Sequence, residues 1–157
     1  MAKREMVENH VEKLLERIMG KEDLKRDDQG DWPFGLNRGV MYIGVRGEHD
    51  ANVQVWGVAA VEVPESPELY KTLNETNNSV QFSRVLFREG EVIIATELVG
   101  ESLDVEELQM AVDRVAAGAD HFGPKIVETH GGRTVKEAPK PENEKPAEEP
   151  PAIGQYL

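Results

Sequence analysis

Four histidines, His10, His49, His121 and His130, are the side chains in this sequence best suited to holding a metal or relaying a proton. No two of them stand four residues apart, so the helix-borne pair of a zinc site is missing. Each reads as a solvated or helix-capping side chain. The acidic run Asp23, Asp27, Asp28 and Asp31 has the charge to attract calcium. It lacks the alternating ligand positions and closing glutamate of a calcium loop, and reads as a solvated turn. Glu106 and Glu107 form a carboxylate pair, but they open a helix, where they favour the backbone dipole. Gly131-Gly132-Arg133 follows a helical pattern, so it cannot present a helix N-terminus to a phosphate. The glycine-rich phosphate loops and the Gly-x-Ser-x-Gly nucleophile turn are absent. These residues point to no catalytic centre, no cofactor and no metal, and the expectation is a protein that is not an enzyme.

Charge and composition narrow the remaining classes. The chain has 157 residues and a formal net charge of −12, with 39% hydrophobic and 31% charged residues. Basic residues are not clustered, and this charge repels nucleic acid and anionic lipid over most of the surface. With no cysteine, disulfides, thiolate catalysis and cysteine metal sites are excluded. No apolar run approaches the roughly 18 residues of a membrane span. The opening Met1–His10 lacks the apolar core of a secretory leader, so a cytoplasmic location is expected.

The elements follow from periodicity. Val7, Val11, Leu14, Leu15 and Ile18 recur at helical spacing, and Gly20 is placed to stop that helix. The polar segment 21–37 reads as a loop or as one extra short edge strand near 31–35, with Trp32 and Phe34 plugging the core. Met41–Arg46 and Val53–Val63 form a first strand pair. In the second of these, Val53, Val55, Gly57, Ala59, Val61 and Val63 make a small apolar face suited to a close helix. Trp56 lies on the opposite face, and core burial is the expectation for so large an aromatic. Ser66-Pro67-Glu68 starts a short helix, with serine as its cap and proline at its first position. Asn74 to Asn78 end it, asparagine tolerating the left-handed conformation there. Gln81–Phe87 and Glu91–Leu98 form a second pair around the turn Arg88-Glu-Gly-Glu91. Asp104 to Glu107 is a capping box opening a long helix through Leu108, Val112, Val115, Ala119 and Phe122. Gly123-Pro124 punctuates that helix.

Two domains of different kind result. Residues 1–132 should form one α+β domain: an antiparallel sheet flanked by helices in the order α-β-β-α-β-β-α. Residues 133–157 hold five of the nine prolines, and Arg133 and three lysines face five glutamates there. Such a Pro/Glu/Lys-rich segment cannot offset its ordering entropy and should be a disordered tail. Ile153, Tyr156 and Leu157 are its only sticky residues.

This order resembles the type III secretion chaperone-like fold and, within it, the YbjN-type family found widely in bacteria. The resemblance is carried by the opener Val7–Ile18, the strands Val40–Val45 and Val53–Val63, and the Ser66–Tyr70 helix with its Asn74–Asn78 end. Phe82–Phe87, Val92–Leu98 and the closing helix Val105–Phe122 complete it. It spans roughly residues 3 to 130. It implies an antiparallel sheet, a homodimer and the binding of extended segments of other proteins without catalysis. YbjN relatives imply a regulatory alternative, acting through one dedicated protein partner. A small-ligand binder or enzyme is the third reading, and the residues offer it no convergent polar set. The expected partner is therefore a protein or peptide client, bound by apolar residues of the sheet and first helix: Val11, Leu14, Ile18, Trp56 and Phe82.

Overall fold

The computed structural model describes residues 3–36 and 39–135. Helix α1 spans Lys3–Met19, and the strands β1 Trp32–Leu36, β2 Gly39–Arg46 and β3 Asn52–Ala60 follow. Helix α2 Pro67–Asn77, strands β4 Arg84–Arg88 and β5 Glu91–Val99, and helix α3 Val105–His130 complete the order. The edge strand is the form that the 31–35 region takes. The five strands make one antiparallel sheet in the order β1-β2-β3-β5-β4.

All three helices lie on one side of this sheet. Facing them are Trp32 and Phe34 of β1, Met41, Ile43 and Val45 of β2, and Val53, Val55 and Gly57 of β3. Ile94 and Val92 of β5 and Val85 of β4 join the same buried cluster as Val11, Leu15, Leu69, Leu108 and Val115 of the helices. Burying side chains of this size contributes about 1.5–3 kcal/mol each. Helix α3 runs close over the centre because the residues beneath it are small. A Cβ at Gly57 would stand 3.1 Å from Val115 and 3.6 Å from Ala119. At the far end, Gly123 meets the Ala59 carbonyl so closely that a Cβ would overlap it.

The caps read from sequence are in place. Ser66 Oγ accepts from the Leu69 N–H at 3.0 Å, and Asp104 and Glu107 form the reciprocal capping box. Gly20 ends α1 at φ 64°. The β4–β5 turn uses Glu89 at φ 50° and Gly90 at φ 85°, both left-handed, as a two-residue hairpin turn requires.

Four expectations are corrected. Helix α3 is unbroken through Gly123-Pro124, so Pro124 removes one backbone donor without ending the helix. Asn78 closes α2 at φ −72°, a right-handed conformation, with its N–H bonded to three carbonyls of the last turn. Strand β3 stops at Ala60, because the register shifts between Val58 and Ala60 and Glu62 turns to φ 56°. Strand β4 begins at Arg84 rather than at residue 81. Phe82 sits at φ 56°, and the buried Thr96 hydroxyl donates to the Phe82 carbonyl at 3.0 Å, turning the chain before the strand starts. The tail expected over 133–157 lies outside the described residues from 136 onward. Arg133 pairs its backbone with Val61 and its guanidinium with Glu62.

The free edge of β4 is occupied by a side chain. The Asn77 amide donates to the Val85 carbonyl at 2.9 Å and accepts from the Val85 N–H at 2.6 Å. One asparagine thus stands where a neighbouring strand would pair.

Candidate functional site

Among the described residues, every helix lies on one side, and the opposite face of the sheet carries its own side chains and the turn that holds Gln29 and Asp31. Strand alternation decides which side chains those are. Tyr42, Gly44 and Arg46 of β2 point outward, as do Gln54 and Trp56 of β3. Ile93, Ala95 and Glu97 of β5 and Arg84, Leu86 and Arg88 of β4 complete the face. Arg46, Gln54, Trp56, Ile93, Ala95, Arg84, Leu86 and Arg88 line a shallow groove of about 560 Å³, with Gln29 and Asp31 at its β1 end. Its floor is apolar: the half-buried Trp56 and Leu86 present surface, and Ile93 and Ala95 lie beneath, 3% and 2% exposed.

The aromatic centre is a stacked pair. Tyr42 and Trp56 are cross-strand partners, with ring centroids 5.3 Å apart and planes inclined by 21°. The Arg46 guanidinium lies over the Trp56 ring, 5.0 Å from its centroid. Burial, reinforced by Asp27, Glu91 and Asp31, pushes the Tyr42 hydroxyl above its ordinary pKa, so it stays a neutral donor.

Two ionic clamps flank this centre. Arg46 grips Asp31 in a bidentate pair at 2.7 and 2.9 Å. The Asp31 side chain is only 5% exposed, whereas Arg46 is 39% exposed. The pair lies flat on the sheet because residue 44 is glycine, where a Cβ would overlap Asp31 Oδ1 and Arg46 Nη1. Asp31 is delivered there by Asp27, whose carboxylate accepts from the Gln29 and Asp31 N–H groups at 2.9 and 3.0 Å. Part of the acidic run is therefore a turn-building device. On the other flank Glu97 accepts from Arg84 at 2.6 Å and from Gln54 at 3.0 Å, joining β3, β5 and β4. Burial pushes the Glu97 carboxyl up, but the bonds from Arg84 and Gln54 outweigh it and hold the pKa below the ordinary 4.5. Arg88 forms no ion pair among the described residues.

The five residues expected to bind a client do not form one surface. Val11 is fully buried and Leu14 is 6% exposed, so both are committed to this chain's own core. Trp56 is half-buried at the centre of the helix-free face. Ile18 lies on the other side of the molecule, in a groove between α1 and α3 with Val105, Met110 and Arg114. Phe82 is 75% exposed and is stacked under Arg114, 4.6 Å from the ring centroid. Phe82 and Ile18 thus flank the same arginine, on the helix side. The left-handed backbone of Phe82 is uncommon for a bulky residue and marks a position held by its surroundings.

Sequence reasoning passed over Tyr42, Arg46, Arg84, Leu86 and Arg88, and it read Asp31 as part of a solvated turn, whereas that residue is buried beneath Arg46 at 3% exposure. The signal for most of them is period-two alternation on β2 and β4. It becomes readable once the helices are known to share one side.

The histidines are structural where they are bonded. His10 meets the Leu103 carbonyl at 2.6 Å, and His130 meets the Thr72 hydroxyl at 2.9 Å, tying α3 to α2. Among the described residues no group of three or more His, Asp or Glu is arranged to hold a metal, and no helix is long and apolar enough to cross a membrane.

Comparison with solved structures returns the same fold. A chain of the ExsC–ExsE complex superposes with a TM-score of 0.62 at 14% identity, over 80% of this chain and 97% of that one. A chain of the ExoU–SpcU complex, from the type III secretion system of Pseudomonas aeruginosa, gives 0.56 at 16% identity, over 73% and 95%. A chain of the HopA1–SchA chaperone–effector complex gives 0.53 at 19% identity, over 79% and 98%. No protein of curated function matches the sequence. The sequence model for the T3SS (YopN, CesT) and YbjN peptide-binding chaperones, TY-Chap1, matches residues 5–138. The chain therefore belongs to this family of peptide-binding chaperones.

Proposed function

We propose that this protein binds a segment of another polypeptide on the helix-free face of its sheet, and that it does so as a homodimer without catalysing a reaction. The observation that carries the reading is the one-sided packing, which leaves an apolar floor ringed by ion-paired arginines. Aromatic and arginine side chains are the usual anchors of protein recognition. An apolar floor of four residues spread over β3, β5 and β4 suits an amphipathic helix or an extended segment. Membership of the peptide-binding chaperone family supports the client class, and the second copy is what the resemblance to type III secretion chaperones implies. The YbjN component of the family supports a narrower version, in which the client is one dedicated partner.

The test is recovery of partners by the tagged full-length protein from its native cells, beside a Trp56→Asp variant. Stoichiometric recovery by the wild type, lost in Trp56→Asp while the melting curve is retained, supports the face. Equal recovery by both overturns it. One recovered protein indicates a dedicated partner and many indicate a general chaperone. Sedimentation of the purified chain reads the homodimer directly.

A further inference from the structure

We propose that the chain's own segment Ala152–Leu157 occupies the helix-free face in cis, with the tail from residue 136 as its tether. The inference shares a surface with the proposed function but needs no client.

The tail carries the chemistry of an occupant. Between residues 136 and 157 every large apolar side chain falls in the last five residues, as Ile153, Tyr156 and Leu157. Glu148 and Glu149 stand just before them, separated by Pro150-Pro151. The face offers the complement in the same order: an apolar floor around Trp56 and Leu86, and a rim bearing Arg88. Of the three outward arginines, Arg46 and Arg84 already have carboxylate partners, whereas Arg88 has none among the described residues. The Glu148-Glu149 pair can reach Arg88 while the aromatic and aliphatic residues lie on the floor. The proline pair pre-sets an extended backbone, which lowers the entropy lost on docking.

Reach is sufficient. Val135, the last described residue, lies at the start of β2: a Cβ at Gly39 would be 3.8 Å from the Val135 Cβ. Tyr42 is three residues further along β2, roughly 10 Å at strand rise. Residue 153 lies 18 positions beyond Val135. Eighteen residues reach at most about 60 Å when fully extended, enough to turn the end of the sheet and cross its face. A tether of this kind holds its end at an effective concentration on the order of millimolar, so weak intrinsic contacts suffice for substantial occupancy.

The absence of cysteine makes the test clean. A nitroxide is attached to a single introduced cysteine in the full-length Gln155→Cys protein, and amide signals are compared with the label oxidised and reduced. Docking predicts selective loss of intensity at Tyr42, Trp56 and Ile93, with α1 and α3 spared. A second labelled protein carrying Ile153→Asp and Tyr156→Asp should recover those intensities, and the unchanged remainder of its spectrum shows the fold intact. Uniform or absent broadening overturns the proposal. So does broadening of an isotope-enriched, unlabelled chain mixed with a nitroxide-bearing, unenriched chain, because the segment would then come from another molecule. Failure of partner recovery in native cells would leave these outcomes unaffected, so the two readings fall separately.

Discussion

Replacing Gly44 by alanine should destabilise this protein, although strand propensity alone argues the reverse. Glycine inside a strand is less favourable than alanine by roughly 0.5–1 kcal/mol, because its unfolded backbone is freer. The backbone at Gly44 is not in the left-handed region, so alanine meets no conformational strain. What it meets is the Asp31–Arg46 pair, lying where the new methyl must go. Displacing the pair loses two charge-assisted bonds of 2.7 and 2.9 Å and leaves a carboxylate 5% exposed without its partner. Breaking a fully buried pair costs about 3–5 kcal/mol. Here the guanidinium is 39% exposed and regains water, which reduces the loss. Set against the propensity gain, the net destabilisation is about 2 kcal/mol. With a urea slope of about 1–3 kcal/mol per molar, the unfolding midpoint should fall by about 1 M. The same substitution in an Asp31→Ala, Arg46→Ala background should be neutral or stabilising, since both overlapping side-chain groups are then gone. Wild-type stability in Gly44→Ala, or an undiminished loss in the background without the pair, would refute the reasoning.

Three further outcomes follow from the geometry. Asn77→Ala removes both bonds to Val85 at the β4 edge and should lower stability by about 2 kcal/mol, with Asn77→Asp intermediate because it keeps only the acceptor; denaturant unfolding measures both. Gly123→Ala should also destabilise, by about 1–2 kcal/mol, since overlap with the Ala59 carbonyl outweighs a helix-propensity gain of about 1 kcal/mol. Glu97 has its pKa lowered in the folded state, so it adds stability above its unfolded value that is lost as pH falls through the folded one. A pH series of melting temperatures should accordingly show a shallower decline below about pH 4.5 in Glu97→Gln than in the wild type.

Much of the fold is legible in the chain because local chemistry and global packing agree. The capping box at Asp104, the Ser66-Pro67 start and the Glu89-Gly90 turn each fix an element end from adjacent residues. The alternation Val53, Val55, Gly57 correctly identifies the helix-covered face of β3. Boundaries set by distant atoms were less legible. Strand β4 starts late because Thr96, fourteen residues on, holds the Phe82 carbonyl. Helix α3 survives Pro124 because its close packing on β3 outweighs one lost bond. The site was the least legible part. Val11 and Leu14 have the same pattern whether they meet this chain's core or another chain. Only the placement of all three helices on one side separates those alternatives, and it leaves Trp56 half-buried on the helix-free face while burying the two residues of α1.

That one-sided placement divides the sheet into two surfaces under different constraints. Inward side chains share their volume with three helices, so exchanging one forces adjustment in its neighbours. Outward side chains touch mainly each other, and their backbone is already secured by pairing with neighbouring strands. Recognition can therefore be rewritten at positions such as Gln54, Leu86 or Arg88 with little disturbance to folding. A scaffold of this kind can acquire a new ligand by a few surface exchanges while its interior stays unchanged.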